Sequence, residues 1–384
     1  MAITGVSAMV MNMFLPSLPG MASHFRTSYH VMQLSVALYL GAVGALQLFI
    51  GPLSDRFGRR PVLLAGTATF VLATLGCLLA PNVVVFLGFR MLQASISVAM
   101  VLTRAIARDL SRTEEAASMI GYITMGMAVV PMLSPALGGL LDEAFGWQAN
   151  FIAFLLIGLA ALWLIHTDLG ETNRARSTSL AAQMRQYPAL LGSPRFWGYS
   201  LAAAFGSGLF FAYLGGAPFL GDRLFHLPPS RLGVYFGAPA LGYMAGNFLS
   251  GRFSTRLGIN RMIGWGALLS AASIVALLVA FLTGHGTAPA FFGLMIVMGI
   301  GNGMVLPNAN AGMVSVRPHL AGSASGLGGA IMTGGGAALS ALAGALLGPG
   351  TGATPLLWLM LAVSLLSLGA IALVIWRERA SGLA

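Results

Sequence analysis

"GPLSDRFGRRP" at positions 51–61 and "GRFSTRLG" at 251–258 are two versions of one segment, offset by 200 residues. Gly51, Ser54, Arg56 and Gly58 map onto Gly251, Ser254, Arg256 and Gly258. Each copy is a short polar stretch between long apolar runs, and each lies between the second and third run of its own half of the chain. The duplicated unit is therefore a set of apolar helices. Two homologous sets of membrane helices, with a site near the bilayer midplane where they meet, is a transporter architecture. The copies differ at one telling place: Asp55 in the first is Thr255 in the second.

Composition agrees with that reading. The 384 residues are 57% hydrophobic and only 8% charged, with a mean hydropathy of +0.85. A soluble domain carries roughly 25% charged residues. Repeated apolar runs of about 20 residues mark membrane-spanning helices, and 51 glycines suit close helix packing in lipid. Twelve spans are predicted, near 3–22, 31–53, 62–80, 83–104, 117–141, 148–166, 196–220, 231–253, 262–283, 288–309, 320–347 and 355–376. The expected fold is an all-α integral membrane protein, twelve helices in two pseudo-symmetric halves. The N-terminal six-helix half covers 1–166, a cytoplasmic linker 167–195 and the C-terminal six-helix half 196–384.

Arginine placement orients the bundle. All 20 basic residues are Arg. With the N-terminus inside, sixteen fall in cytoplasmic segments, Arg26, Arg223 and Arg231 fall outside, and Arg90 stays within a span. That bias puts both termini in the cytoplasm and the chain in a bacterial inner membrane as a multi-pass protein. The net charge of +10 is accounted for by these loops; no basic cluster on a soluble module suggests nucleic acid. The one cysteine, Cys77, cannot form an intrachain disulfide, and the scattered histidines offer no metal site. No cofactor is implied. The first segment has no basic leader region and reads as a retained helix.

"GPLSDRFGRRP" resembles the loop motif of the major facilitator superfamily. The resemblance implies a gating latch of Gly51, Asp55, Arg56, Gly58, Arg59, Arg60, Arg108 and Asp109. Gly51 would permit close helix approach and Gly58 an unusual turn. Asp55 would face the positive N-terminus of span eleven, and Arg59 would pair with Asp109. Thr255 should leave the second copy with a weaker latch or none. "GYITMGMAVVPMLSPALGGLL" (121–141) resembles the fifth-span motif of the family's antiporters, a helix-bend motif with Gly126, Pro131, Pro135, Gly138 and Gly139. Pro131, Pro135 and Gly139 share one helix face, and each proline removes a backbone hydrogen bond. The glycines of span eight, Gly242 and Gly246, are expected opposite it. "GFRMLQASISVAM" (88–100) resembles the fourth-span pattern with a buried arginine. A charge there costs at least about 2.5 kcal/mol, so Arg90 must hold a partner, bind a polar or negative part of the substrate, or snorkel to the interface.

Together with "MNMFLPSLPGM" (11–21), "GWQANF" (146–151) and "GAPFL" (216–220), these segments resemble the bicyclomycin/chloramphenicol-resistance (Bcr/CflA) branch of the drug:proton antiporters. That branch commonly has an acid at the first-span position that is Asn12 here. At 1.5 Å per residue Asn12 lies about 17 Å up the helix, near mid-bilayer, and an amide cannot titrate. None of the ten acids lies deep in a predicted span. Coupling could use a peripheral acid such as Asp222 or Asp142, the substrate could carry the charge, or transport could be uncoupled. The candidate substrate-binding residues are Asn12, Gln33, Tyr39, Gln47, Arg90, Gln93, Tyr122, Tyr213, Tyr243, Asn247, Asn302 and Asn308. Amide and aromatic groups with one cation suit an amphipathic small organic substrate. The expected function is a monomeric multidrug or small-molecule exporter in the bilayer, with protons as a candidate second partner. A facilitator or importer of an anionic or polar metabolite is the alternative, and a non-transporting receptor the remote one. No nucleophile–base pair, carboxylate dyad or phosphate loop suggests an enzyme.

Overall fold

The computed structural model describes residues 2–110, 130, 133–172, 187–317, 320–348 and 350–380. Among them every regular element is helical. Nine described helices are long and apolar enough to cross a membrane. Spans two and three are Tyr29–Phe57 and Arg59–Leu78; span six is Gln148–Asp168 and span seven Pro194–Arg223. Spans nine to twelve are Ile259–Leu282, Ala288–Ser315, Ala321–Ala345 and Thr354–Ala380. Several of these outrun their predicted limits by a turn at the watery ends, where hydropathy carries no signal. The linker segment contains a short helix, Tyr187–Leu191, before span seven begins.

Three spans are broken, each where the backbone chemistry requires it. Span one runs Ala2–Asn12, then a tight turn Leu15–Ser17, then Leu18–His24. Pro16 has no N–H to offer the Asn12 carbonyl, so the first helix stops there. Span four is Val83–Leu92, a tight turn Gln93–Ile96, and Ser97–Leu110. Span eight is Pro229–Phe236 and Ala238–Leu257, parted at Gly237 with Pro239 in the next turn. Span five is described as a helix over 133–145; Tyr122, Gly126 and Pro131 lie outside the described residues.

The repeat is written into the backbone. Gly58 and Gly258 both take positive φ, 103° and 83°, at the turn between the second and third span of each half. Arg26 and His226, again 200 apart, are the two described non-glycine residues with positive φ, 49° and 50°. Both follow the outer end of the first span of their half. A left-handed residue there terminates a helix by satisfying its last carbonyls: Thr27 N donates to Ala22 O and Leu227 N to Gly221 O.

The chain forms two compact units, Met1–Met184 with Pro228–Val234, and Arg185–Leu227 with Tyr235–Ala384. The inner end of the first is packed by Ile50, Leu63, Val98, Leu102 and Ile165 from spans two, three, four and six. That of the second is packed by Phe196, Tyr199, Ile263, Met313 and Val374 from spans seven, nine, ten and twelve.

Candidate functional site

In the first unit the break in span one positions the central cation. Because the helix ends at Asn12, the Val10 carbonyl lacks an intrahelical donor. Arg90 Nη2 donates to it at 2.8 Å. Nε donates to Ser35 O at 3.3 Å and Nη1 to Gln93 Oε1 at 2.6 Å. The guanidinium lies between the rings of Phe14 and Tyr39, 4.2 Å from each centroid. Gln93 Nε2 passes the network on to Thr74 Oγ1 at 2.8 Å, and Thr74 donates to Phe70 O at 2.7 Å. Arg90 is 0% exposed, so it does not snorkel; it ties spans one to four together through neutral acceptors and π faces.

Asn12 is buried, and its Nδ2 donates to Ala8 O at 2.8 Å, one turn back on its own helix. Gln33 and Tyr39 are buried on span two, and Gln47 is half-buried on the same helix.

In the second unit Tyr213 is 0% exposed and sits among Phe210, Phe236, Phe291 and Phe292, with centroids 5.0 to 6.4 Å away. Its hydroxyl has no hydrogen-bond partner among the described residues, and neither has Asn302 Oδ1. A buried polar group left unpaired costs about 1–3 kcal/mol, so these two atoms are among the buried groups with hydrogen-bonding capacity to spare. Asn302 Oδ1 lies toward Gly206 of span seven. Asn308 is used differently: Nδ2 donates to Ser250 Oγ at 2.7 Å and to Met304 O at 2.8 Å, bracing span ten on span eight. Tyr243 and Asn247 are half-buried on span eight, and Asn247 Nδ2 donates to Tyr243 O at 2.8 Å. Gly242 and Gly246 of span eight face span ten. A Cβ on either would run into the Ile296 or Ile300 carbonyl of span ten. Their small size serves packing within their own half.

The loop motif builds a local clamp. Gly58 N donates to Ser54 O at 3.0 Å and closes span two. Arg59 is buried, and its Nη1 donates to Ser54 Oγ. Glu171, just past span six, accepts from Arg59 N at 2.9 Å and Arg60 N at 3.3 Å. Arg60 Nη2 donates to His166 O at 2.9 Å. Glu171 thus caps the N-terminus of span three, a role the sequence analysis did not assign. Arg56 is exposed, 5.2 Å over Phe57. The close approach expected at Gly51 is not among the described contacts; a Cβ there would meet no described atom within 4 Å. The side chains of Asp55, Arg108 and Asp109 lie outside the described set.

The second half is clamped at the matching place with other residues. Glu378, at the inner end of span twelve, is 8% exposed. It accepts from Arg195 Nη2 at 2.6 Å, Tyr199 Oη at 3.2 Å and Asn260 Nδ2 at 2.5 Å. Glu171 and Glu378 therefore play one part, an acid from the sixth span of each half docked on the start of the third. The signal in the sequence is an acid at or just past the end of each sixth span.

Among the described residues, the other acids sit at helix ends. Asp222 is half-buried beside Arg223. Asp142, at the outer end of span five, takes a hydrogen bond from Ser17.

Two six-span sets with duplicated turns, clamped inner ends and a polar interior define a secondary-transporter scaffold. The sequence model of the Major Facilitator Superfamily matches residues 1–333 and 223–383, and the chain belongs to that family. It is 34% identical over 328 residues to a chloramphenicol resistance protein of Pseudomonas aeruginosa, covering 83% of this chain and 76% of the relative. It is 29% identical over 371 residues to multidrug resistance protein D of Escherichia coli, covering 92% and 90%. These relatives place it in the drug-resistance branch its motifs resemble. A bacterial homologue of the human lysosomal transporter Spinster, solved inward-facing and occupied, superposes with a TM-score of 0.75 at 18% identity over 98% of this chain and 95% of that one; that likeness shows the fold.

Proposed function

We propose that the chain exports small organic molecules across the inner membrane by alternating access, as a monomer, without a conventional proton-binding acid. The observation that carries the second part is how Asn12 and Arg90 are each satisfied. Where relatives of this branch often hold an acid, Asn12 bonds back to its own helix. Among the described residues, the acceptors of Arg90 are neutral. A proton carrier must titrate and be reached from both sides of the membrane. Asn12 cannot titrate, and the described acids lie at helix ends. Export is supported by the names of the relatives and by the fifth-span motif. The substrate would meet Tyr213 Oη and Asn302 Oδ1, two buried atoms with capacity to spare, among aromatic side chains. That chemistry favours an amphipathic molecule with a hydrogen-bonding group.

A facilitator or importer of an anionic or polar metabolite is the second reading, favoured by the same absence of a titrating group. The test is reconstitution in proteoliposomes with chloramphenicol, bicyclomycin and a siderophore as probes, reading substrate and proton flux together. Efflux with no coupled proton movement is expected. Stoichiometric proton flux that disappears in one acid-to-amide variant would overturn the uncoupled reading. Uptake only would favour the importer.

A further inference from the structure

We propose that Asp142, Ser17 and Asn150 form a binding site for an alkali-metal cation where the outer parts of spans one, five and six meet. All three residues belong to the first unit. Binding of such an ion does not depend on the direction of transport.

The oxygens come together because two helices end beside each other. The first helix of span one stops at Asn12, and its last carbonyls are left over. Pro16 has no N–H, and Ser17 N is given to Phe14 O at 2.9 Å, so Met13 O loses its donors from the following turn. That carbonyl lies against Gly138 of span five, in a space a Cβ would fill. One turn further along span five, Asp142 takes a hydrogen bond from the buried Ser17. Asn150, at the start of span six, is 0% exposed. Its Nδ2 donates to Ser17 Oγ at 3.0 Å and to Gly138 O at 3.2 Å. With the amide nitrogen held among these atoms, Oδ1 of the same planar group lies in the cluster, and it has no hydrogen-bond partner. A buried acceptor without a donor costs about 1–3 kcal/mol.

The electrostatics of the place are one-sided. Asp142 and Glu143 stand in the last turn of the 133–145 helix, at the negative end of its dipole, where an acid is disfavoured and a cation favoured. The end of the Ala2–Asn12 helix adds a second negative pole. Among the described residues no basic side chain pairs with Asp142, and the charge acting on it is that of Glu143. Arg90 is committed to Val10 O, Ser35 O and Gln93. A bound cation answers each of these costs: it gives Asn150 Oδ1 a partner, balances Asp142 and suits both helix ends. A water molecule would satisfy Oδ1 but leave the acid unbalanced. The donors are carboxylate, amide, hydroxyl and carbonyl oxygens, with no sulfur or imidazole, which selects a hard ion over a transition metal. One half-buried carboxylate balances one charge, since its neighbour Glu143 is exposed; a divalent ion would leave excess charge in a poorly solvated place. The half-exposure of Asp142 gives the ion and its remaining waters access from the outer side.

The test is the melting temperature of the full chain in detergent, in NaCl, KCl and choline chloride at equal concentration. NaCl or KCl should raise it at least about 2 °C above choline. Asp142→Asn should lose that increment, while Glu143→Gln should keep most of it. Equal melting of the native chain in all three salts would overturn the site, as would an increment that survives Asp142→Asn. Loss of the increment in Glu143→Gln as well would reduce it to screening of surface charge and also overturn the site. A second measurement needs no variant: equilibrium dialysis of the native chain against radioactive sodium or rubidium in choline chloride. One ion of either kind retained per chain is expected, and retention of neither would overturn the proposal.

Discussion

Arg90 shows how one buried charge is made tolerable with no opposite charge among its described partners. Its three nitrogens each reach an acceptor, and two rings cover its faces. The weak point is Gln93, which serves the guanidinium and Thr74 at once. Gln93→Ala should cost about 1–3 kcal/mol, because it leaves buried polar groups unpaired. A thermal melt in detergent reads this directly, and an unshifted melting temperature would mean the brace is not cooperative. The sequence marked Arg90 and Gln93 as important but left three fates open for the arginine. Periodicity cannot say which carbonyl a guanidinium finds. Here the end of the first helix at Asn12 decides it, by leaving Val10 O for Arg90.

At the scale of elements, the two positive-φ glycines separate backbone strain from side-chain space. Both positions strain an L-residue, at about 1–3 kcal/mol. A Cβ at Gly58 would also strike the Glu171 carboxylate, whereas one at Gly258 meets nothing within 4 Å. Gly58→Ala should therefore lower stability more than Gly258→Ala, by about the 1–3 kcal/mol that the Glu171 bonds represent. In the Gly58→Ala background, a further Glu171→Ala should cost little, since the pair shares one interaction. Equal destabilisation by the two glycine substitutions would remove Glu171 from the clamp. The unusual turn at Gly58 was legible from the motif. Its docking partner was not, because Glu171 lies 112 residues from Arg59 and no spacing rule links them.

For the whole molecule, the cycle requires inner and outer contacts that form alternately. The family resemblance gives Asp55 the inner contact. Asp55→Asn should lower transport while leaving expression and melting unchanged, since the substitution keeps shape and removes only the charge that would face a helix N-terminus. Unimpaired flux in proteoliposomes would count against that role.

Twelve spans, their orientation, the duplicated halves and the branch of the family could all be read without coordinates. Hydropathy, arginine bias and a 200-residue repeat are local or translational signals, and the bilayer converts them into topology. The amide at position 12 was legible in the same way, as a chemical identity. Only the tertiary structure decided which atoms complete one another: Val10 O with Arg90, Glu171 with the start of span three, Glu378 with Arg195 and Asn260, Gly242 with span ten. Those pairings depend on helix rotation and on breaks of a few residues. Each is set by packing against neighbours distant in sequence, where a composition or a period carries no information.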